Sequence, residues 1–137
     1  MTPTTATILA GNARVIASLA GEEGGADYAG AKLSVVALLS VLAAQEAEAG
    51  AAVRLAENAA IAAVLTAARP DDDGGADLPE SAEPTIAALD AVNATLRRRL
   101  IALHEAVEAR GDRACDAAIL ALYRRMAEGR MLVLPPH

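Results

Sequence analysis

Residues 27–69 read DYAGAKLSVVALLSVLAAQEAEAGAAVRLAENAAIAAVLTAAR, and this stretch decides the fold. It contains no proline and is dominated by alanine and leucine. Its first half, Leu33 to Ala44, is apolar on every side of a helical wheel. A helix without a polar face has to be enclosed by something: the rest of the chain, a second subunit or lipid. The second half, residues 51–68, is more amphipathic. Its stripe reads Leu55, Asn58, Ile61 and Leu65, with Val64 adjacent and Arg54 and Glu57 near the border. Gly50 separates the halves. Glycine costs roughly 1 kcal/mol against alanine in a helix interior, so a bend or a break is expected there. Unbroken, a helix from Asp27 to Arg69 would run roughly 60 Å at 1.5 Å per residue. That is far longer than its partners in one compact subunit.

On the N-terminal side, a first helix is expected from about Thr5 to Ala20. Thr4 or Thr5 serves as N-cap, and Ile8, Asn12, Val15, Ile16 and Leu19 recur at helical spacing. GEEGG, residues 21–25, stops it, and Asp27 caps the second helix. On the C-terminal side, PDDDGGADLPESAEP (70–84) holds three prolines, two glycines and six acids, with almost nothing to bury. Such a segment cannot repay its ordering entropy and reads as an acidic, flexible linker.

The third helix is expected from near Pro84 to Arg110, with Ser81 as N-cap. Ile86, Asn93, Leu100 and Val107 fall at a positions, and Leu89, Leu96, Leu103 and Arg110 at d. Gly111 stops it and Asp112 caps a fourth helix, from about Arg113 to Glu128, making an antiparallel hairpin. The fourth stripe is Cys115, Ile119, Leu122 and Met126, with Leu120 and Tyr123 beside it. Gly129 closes it, and RMLVLPPH (130–137) reads as an extended apolar tail that folds back or reaches a neighbour. No strand is expected. The chain reads as one all-α domain over residues 1–137, an antiparallel bundle of four helices, or five if Gly50 breaks the long second one.

The chain is 137 residues long and 54% apolar, with Tyr28 and Tyr123 its only aromatics, so the core must be Leu, Ile, Val and Ala. A net charge of -6 argues against wholesale nucleic-acid binding, which needs a basic footprint. Acids dominate up to Asp90 and arginines after it, so the two halves are expected to complement each other across the bundle or between subunits. A sharper reading would build an anion site from Arg97–Arg99 and Arg124–Arg125. Three consecutive helical residues cannot face one ligand, which counts against a single clamp. Eleven arginines against one lysine, with so much alanine, point to a GC-rich bacterial genome.

Cys115 is the sole cysteine, which excludes an internal disulfide and fits a reducing cytoplasm. The N-terminus lacks the basic region and long apolar core of a signal peptide. The run Leu33–Ala44 is only twelve residues, against the roughly twenty needed to span a bilayer, so no membrane span is expected.

Candidate buried-polar or interface residues are Asn12, Asn58, Asn93, Arg97 and His104. Three helices each carry one asparagine inside an apolar stripe. A buried amide needs partners, and an asparagine at an a position can fix alignment between helices. The plainer alternative is partial exposure with bonds to local backbone or water. A polar cluster holding a ligand is less favoured, because no aromatic or charged ring surrounds them. His104 reads as an exposed histidine flanking a helix interface. The ferritin-like di-iron pattern needs Glu-x-x-His on two helices, and neither Glu105 nor Glu108 stands three residues before a histidine. GEEGG lacks the Gly-Lys-Ser/Thr ending of a phosphate loop. Cys115 reads as an inert core thiol.

These observations lead to the expectation of a non-enzymatic protein–protein interaction or assembly module. It would be cytoplasmic and homodimeric, with room for an unidentified protein partner and no metal or cofactor. The alternative is a small-molecule binding or sensing module with an apolar cavity between its helices.

Overall fold

The computed structural model of the chain describes residues 4–22, 28–68, 78–79 and 85–135. Among these residues it is all-α, with four helices and no strand. They are α1 (Thr5–Glu22), α2 (Tyr28–Ala67), α3 (Ile86–Arg110) and α4 (Arg113–Gly129). Nearly all of the expected linker at 70–84 lies outside the described residues, as do Asp27 and Ser81.

The helix ends follow local chemistry. Thr4 Oγ1 accepts from the Thr7 backbone N–H at 3.2 Å, satisfying one orphan donor of α1. At α3 the cap is Thr85, not Ser81, and its side chain accepts from the Ala88 N–H at 3.2 Å. Gly111 adopts φ 70°, the left-handed conformation that costs glycine least, and its N–H returns to the carbonyls of Val107 and Glu108. Asp112 then caps α4 by accepting from the Cys115 N–H at 3.1 Å. That bond, with the neighbouring Arg110 guanidinium, holds the Asp112 carboxyl below its ordinary range. Gly129 remains inside α4, and Arg130 is the C-cap.

α2 does not break at Gly50. It is a continuous helix of 40 residues, and the boundary between two compact units falls immediately after that glycine. Unit 1 comprises Met1–Gly50 and Leu132–His137; unit 2 comprises Ala51–Met131.

Unit 2 carries a conventional apolar core. Ile61, Leu65, Leu96, Leu100, Val107, Ile119, Leu122 and Met126 form one buried cluster, flanked by half-buried Val64, Leu78, Val92, Leu103, Cys115 and Tyr123. The heptad seam of α3 supplies Leu89, Asn93, Leu96, Leu100 and Val107 to the buried set, while Arg110 at its end pairs with Asp112. In α2 the buried stripe differs from the expected one by one step. Leu55 is half exposed, and Glu57 is buried beside Asn58. Leu120 likewise points out of α4.

Unit 1 is arranged the other way round. Its buried hydrophobic residues are alanines: Ala13 and Ala20 in α1, Ala37 and Ala44 in α2, each pair seven residues apart. Of the large side chains expected to face inward, Ile16 is half-buried, whereas Ile8, Val15 and Leu19 are exposed. So are Val35, Val36 and Leu39, at 55%, 47% and 58%. Among the described residues Leu33–Ala44 is therefore only partly enclosed: Ala37 and Ala44 are buried and Leu33, Leu38, Val41 and Leu42 are half-buried. Over one 18-residue window α2 is long and apolar enough to cross a membrane by length and composition, and 17% of that window is buried. The shortness of Leu33–Ala44 alone does not decide that question.

The tail beyond α4 has no regular structure at Met131–Pro135. It is tethered within unit 1 by a paired amide contact. The Gln45 side chain donates to the Val133 carbonyl and accepts from the Val133 N–H, both at 2.8 Å.

Candidate functional site

The principal polar feature of unit 2 is a buried network built around Glu57. Glu57 is 5% exposed and lies one turn before Ile61 in α2. Asn93 Nδ2 donates to Glu57 Oε1 at 2.8 Å and to Asn58 Oδ1 at 2.7 Å. The Asn58 amide in turn donates to the Leu89 carbonyl at 3.1 Å. Arg97 grips Oε1 through Nε at 3.1 Å and Nη2 at 2.7 Å, and Arg130 Nε reaches Oε2 at 2.7 Å. One layer along, Arg54 Nε donates to Asp90 Oδ1 at 2.6 Å. Among the described residues no buried side-chain nitrogen or oxygen lacks a partner.

Electrostatics explain how a carboxylate survives there. Burial alone would push the Glu57 carboxyl up. The bonds from Arg130, Arg97 and Asn93, with the charge of Arg97, outweigh burial and hold it below the usual carboxylate range. Glu57 is thus ionised near neutrality, with both oxygens engaged. A carboxylate so occupied is a poor proton acceptor. What the arrangement does well is fix register: α2, α3 and the end of α4 must align for every donor to find its acceptor.

Of the sequence candidates, Asn58, Asn93 and Arg97 meet in this network. Asn12 does not; it is exposed in α1. Glu57 and Arg130 are the members that sequence reasoning missed. The helical wheel places Glu57 near the border of its stripe, whereas it is buried. Within the Arg97–Arg99 triplet, Arg97 turns to Glu57, whereas Arg98 donates to Thr95 Oγ1 on its own helix. The acid-rich first half and arginine-rich second half do complement each other within unit 2, through Glu57 with Arg97 and Arg130. The Arg54–Asp90 pair runs in the opposite sense.

His104 occupies a second polar site, on the α3–α4 face. It is not an exposed flank: its side chain is 19% exposed and its Nε2 lies 2.9 Å from Asp116 Oδ1. Glu108 Oε1 is 3.9 Å from the same nitrogen. The Tyr123 ring packs on the imidazole, centroids 5.5 Å apart and planes inclined by 58°. Burial, opposed by Arg97 and reinforced by Glu108, raises the Tyr123 hydroxyl above its ordinary value. The Cys115 thiol is half-buried against the unit 2 core.

Open pockets lie in both units. One of about 340 Å³ lies beside Glu57 and is walled by Val53, Ala60, Leu122 and Met126. Another, of about 600 Å³, lies in unit 1 and is lined mainly by alanines of α1 and α2, with Arg14, Ser34, Leu134 and Pro135. No protein-family model, curated protein or solved structure matches this chain.

Proposed function

We propose that this chain is a non-enzymatic assembly module that pairs with a second copy of itself through the aliphatic surface of unit 1. The observation that carries the reading is the inversion of that unit. Alanines take the buried positions, while Ile8, Val15, Leu19, Val35, Val36 and Leu39 stand about half exposed. Removing the exposed half of such a side chain from water contributes on the order of 1 kcal/mol, so six of them in one interface are a substantial driving force. A second copy offers the same surface by symmetry, and two-fold pairing is the commonest closed solution. In the resulting assembly the helices run antiparallel.

The test is the mass in solution by light scattering over a concentration series. A dimer that dissociates on dilution is expected. The triple variant Val35→Ser, Val36→Ser, Leu39→Ser should shift it to monomer with helicity retained. A wild-type monomer at every concentration overturns the proposal. So does recovery of the protein with floated lipid vesicles together with a monomeric mass in detergent, since lipid would then be the cover.

A second reading is favoured by the unit 1 pocket of about 600 Å³, which falls in the size range of small-molecule sites. It makes the chain a binding or sensing module for an apolar ligand. A ligand-dependent rise in melting temperature that vanishes in Ala17→Leu and Ala37→Leu would support it over pairing alone.

A further inference from the structure

His104, Glu108 and Asp116 converge on one point at the α3–α4 face, with one ligand atom from each lying within 4.8 Å of the others. His104 and Glu108 stand four residues apart on one helix, the spacing that places two side chains on the same face. Asp116 comes from the first turn of α4, across the Gly111–Asp112 turn. The donor set is one imidazole nitrogen and two carboxylate oxygens, which suits a divalent first-row transition ion.

From these observations we infer that His104, Glu108 and Asp116 form a three-ligand site for a divalent transition-metal ion, with zinc as its representative. Ligand bonds of roughly 2.0–2.2 Å in tetrahedral geometry put neighbouring ligand atoms roughly 3.4 Å apart. The observed separations from His104 Nε2, 2.9 Å to Asp116 and 3.9 Å to Glu108, bracket that value. Small side-chain adjustments therefore suffice to close the site. Among the described residues, the ion pairs that reach Glu108 and Asp116 come from His104 alone. With a neutral imidazole the cluster is doubly negative, and a bound cation relieves the repulsion between its carboxylates. Tyr123 packs against the imidazole and restricts its rotation, so part of the ligand geometry is set before an ion arrives. The Glu108 and Asp116 side chains are 66% and 36% exposed, which leaves an open side for a coordinated water. An ion there would clip α3 to α4 independently of any association through unit 1.

The test is calorimetric titration of chelator-stripped full-length protein with zinc chloride, with cobalt(II) absorption as a second readout. One ion per chain is expected. His104→Gln keeps a side chain able to bond Asp116 but removes the imidazole. It should weaken binding by more than about 100-fold, beyond what loss of an outer-shell partner costs. Glu108→Gln and Asp116→Asn should each weaken it by about tenfold or more. Cys115→Ser and His137→Ala should leave affinity unchanged, since neither residue belongs to the set. Far-UV circular dichroism confirms that each variant is folded. Were His104→Gln to lose helicity, the Glu108→Gln and Asp116→Asn titrations would decide the matter alone. The proposal fails if zinc does not bind, if these variants bind it as well as wild type does, or if affinity follows Cys115 or His137 instead.

Discussion

The two units solve the problem of an aromatic-poor chain in opposite ways. Unit 2 places Leu, Ile, Val and Met inside and accepts a buried carboxylate, fully hydrogen-bonded, among them. Unit 1 buries alanines at seven-residue spacing, leaves Ile8, Val15, Leu19, Val35, Val36 and Leu39 exposed, and only half-buries Ile16, Leu33, Leu38, Val41 and Leu42. Small residues let helix backbones approach closely but remove little apolar area from water. Close approach alone is a weak source of stability, and unit 2 holds the larger buried aliphatic side chains and unit 1 most of the larger exposed ones. The difference shows that apolar content and apolar burial are separate quantities, even within one helix.

The comparison is broken most directly by truncating one leucine in each unit. Leu100→Ala removes a fully buried side chain from unit 2 and should cost about 3–4 kcal/mol in urea unfolding. Leu39→Ala, at a side chain 58% exposed, should change the stability of a monomeric sample by less than about 0.5 kcal/mol. Equal costs in monomer would mean that unit 1 is packed as unit 2 is.

Next in size is the buried network. Glu57→Ala strands the donors of Asn93, Arg97 and Arg130 and should cost about 2–3 kcal/mol. Arg97 and Arg130 retain partial access to water, which keeps the cost below that of a fully enclosed pair. Asn12→Ala, in unit 1, should be near neutral by the same denaturation assay.

Acid sharpens the contrast further. Glu57 has its carboxyl lowered in the folded state, so its contribution is present above its unfolded value of 4.5 and is lost as pH falls through the folded one. Wild-type stability should therefore decline below about pH 4.5 with a component that Glu57→Gln lacks. Parallel declines in the two proteins would show that the network carries no acid sensitivity. A smaller cost than that of the network is expected at a helix cap: Thr85→Ala should cost about 1 kcal/mol by thermal melting, with the core unchanged.

The sequence made the helix ends and the α3 seam legible for physical reasons. Gly111 and Asp112 are strong local signals that need no tertiary partner. The alternation of Leu89, Leu96 and Leu100 with Asn93 admits one inward face. Unit 1 was illegible because two faces of α1 repeat equally well. Ile8, Val15 and Leu19 trace one, and Ala13 and Ala20 trace another; period alone cannot say which is inside. Glu57 was hidden for a different reason. The partners that make its burial tolerable stand 40 and 73 positions away, and no local pattern announces them. The buried asparagines were visible as oddities in their stripes, but their common acceptor was not. His104 was read one helix at a time, whereas its nearest carboxylate comes from the next helix.

The amide clasp between Gln45 and Val133 joins positions 88 apart, and the whole of unit 2 lies between them. Unit 2 is thus nested inside unit 1 along the chain. Closing so long a loop from a disordered chain costs more than closing it after the intervening segment has condensed. The local α3–α4 contacts also form faster than distant ones. The tail consequently docks last during folding and, by the same accounting, opens first. Hydrogen exchange should find the Val133 amide released in events that leave the α3 amides protected.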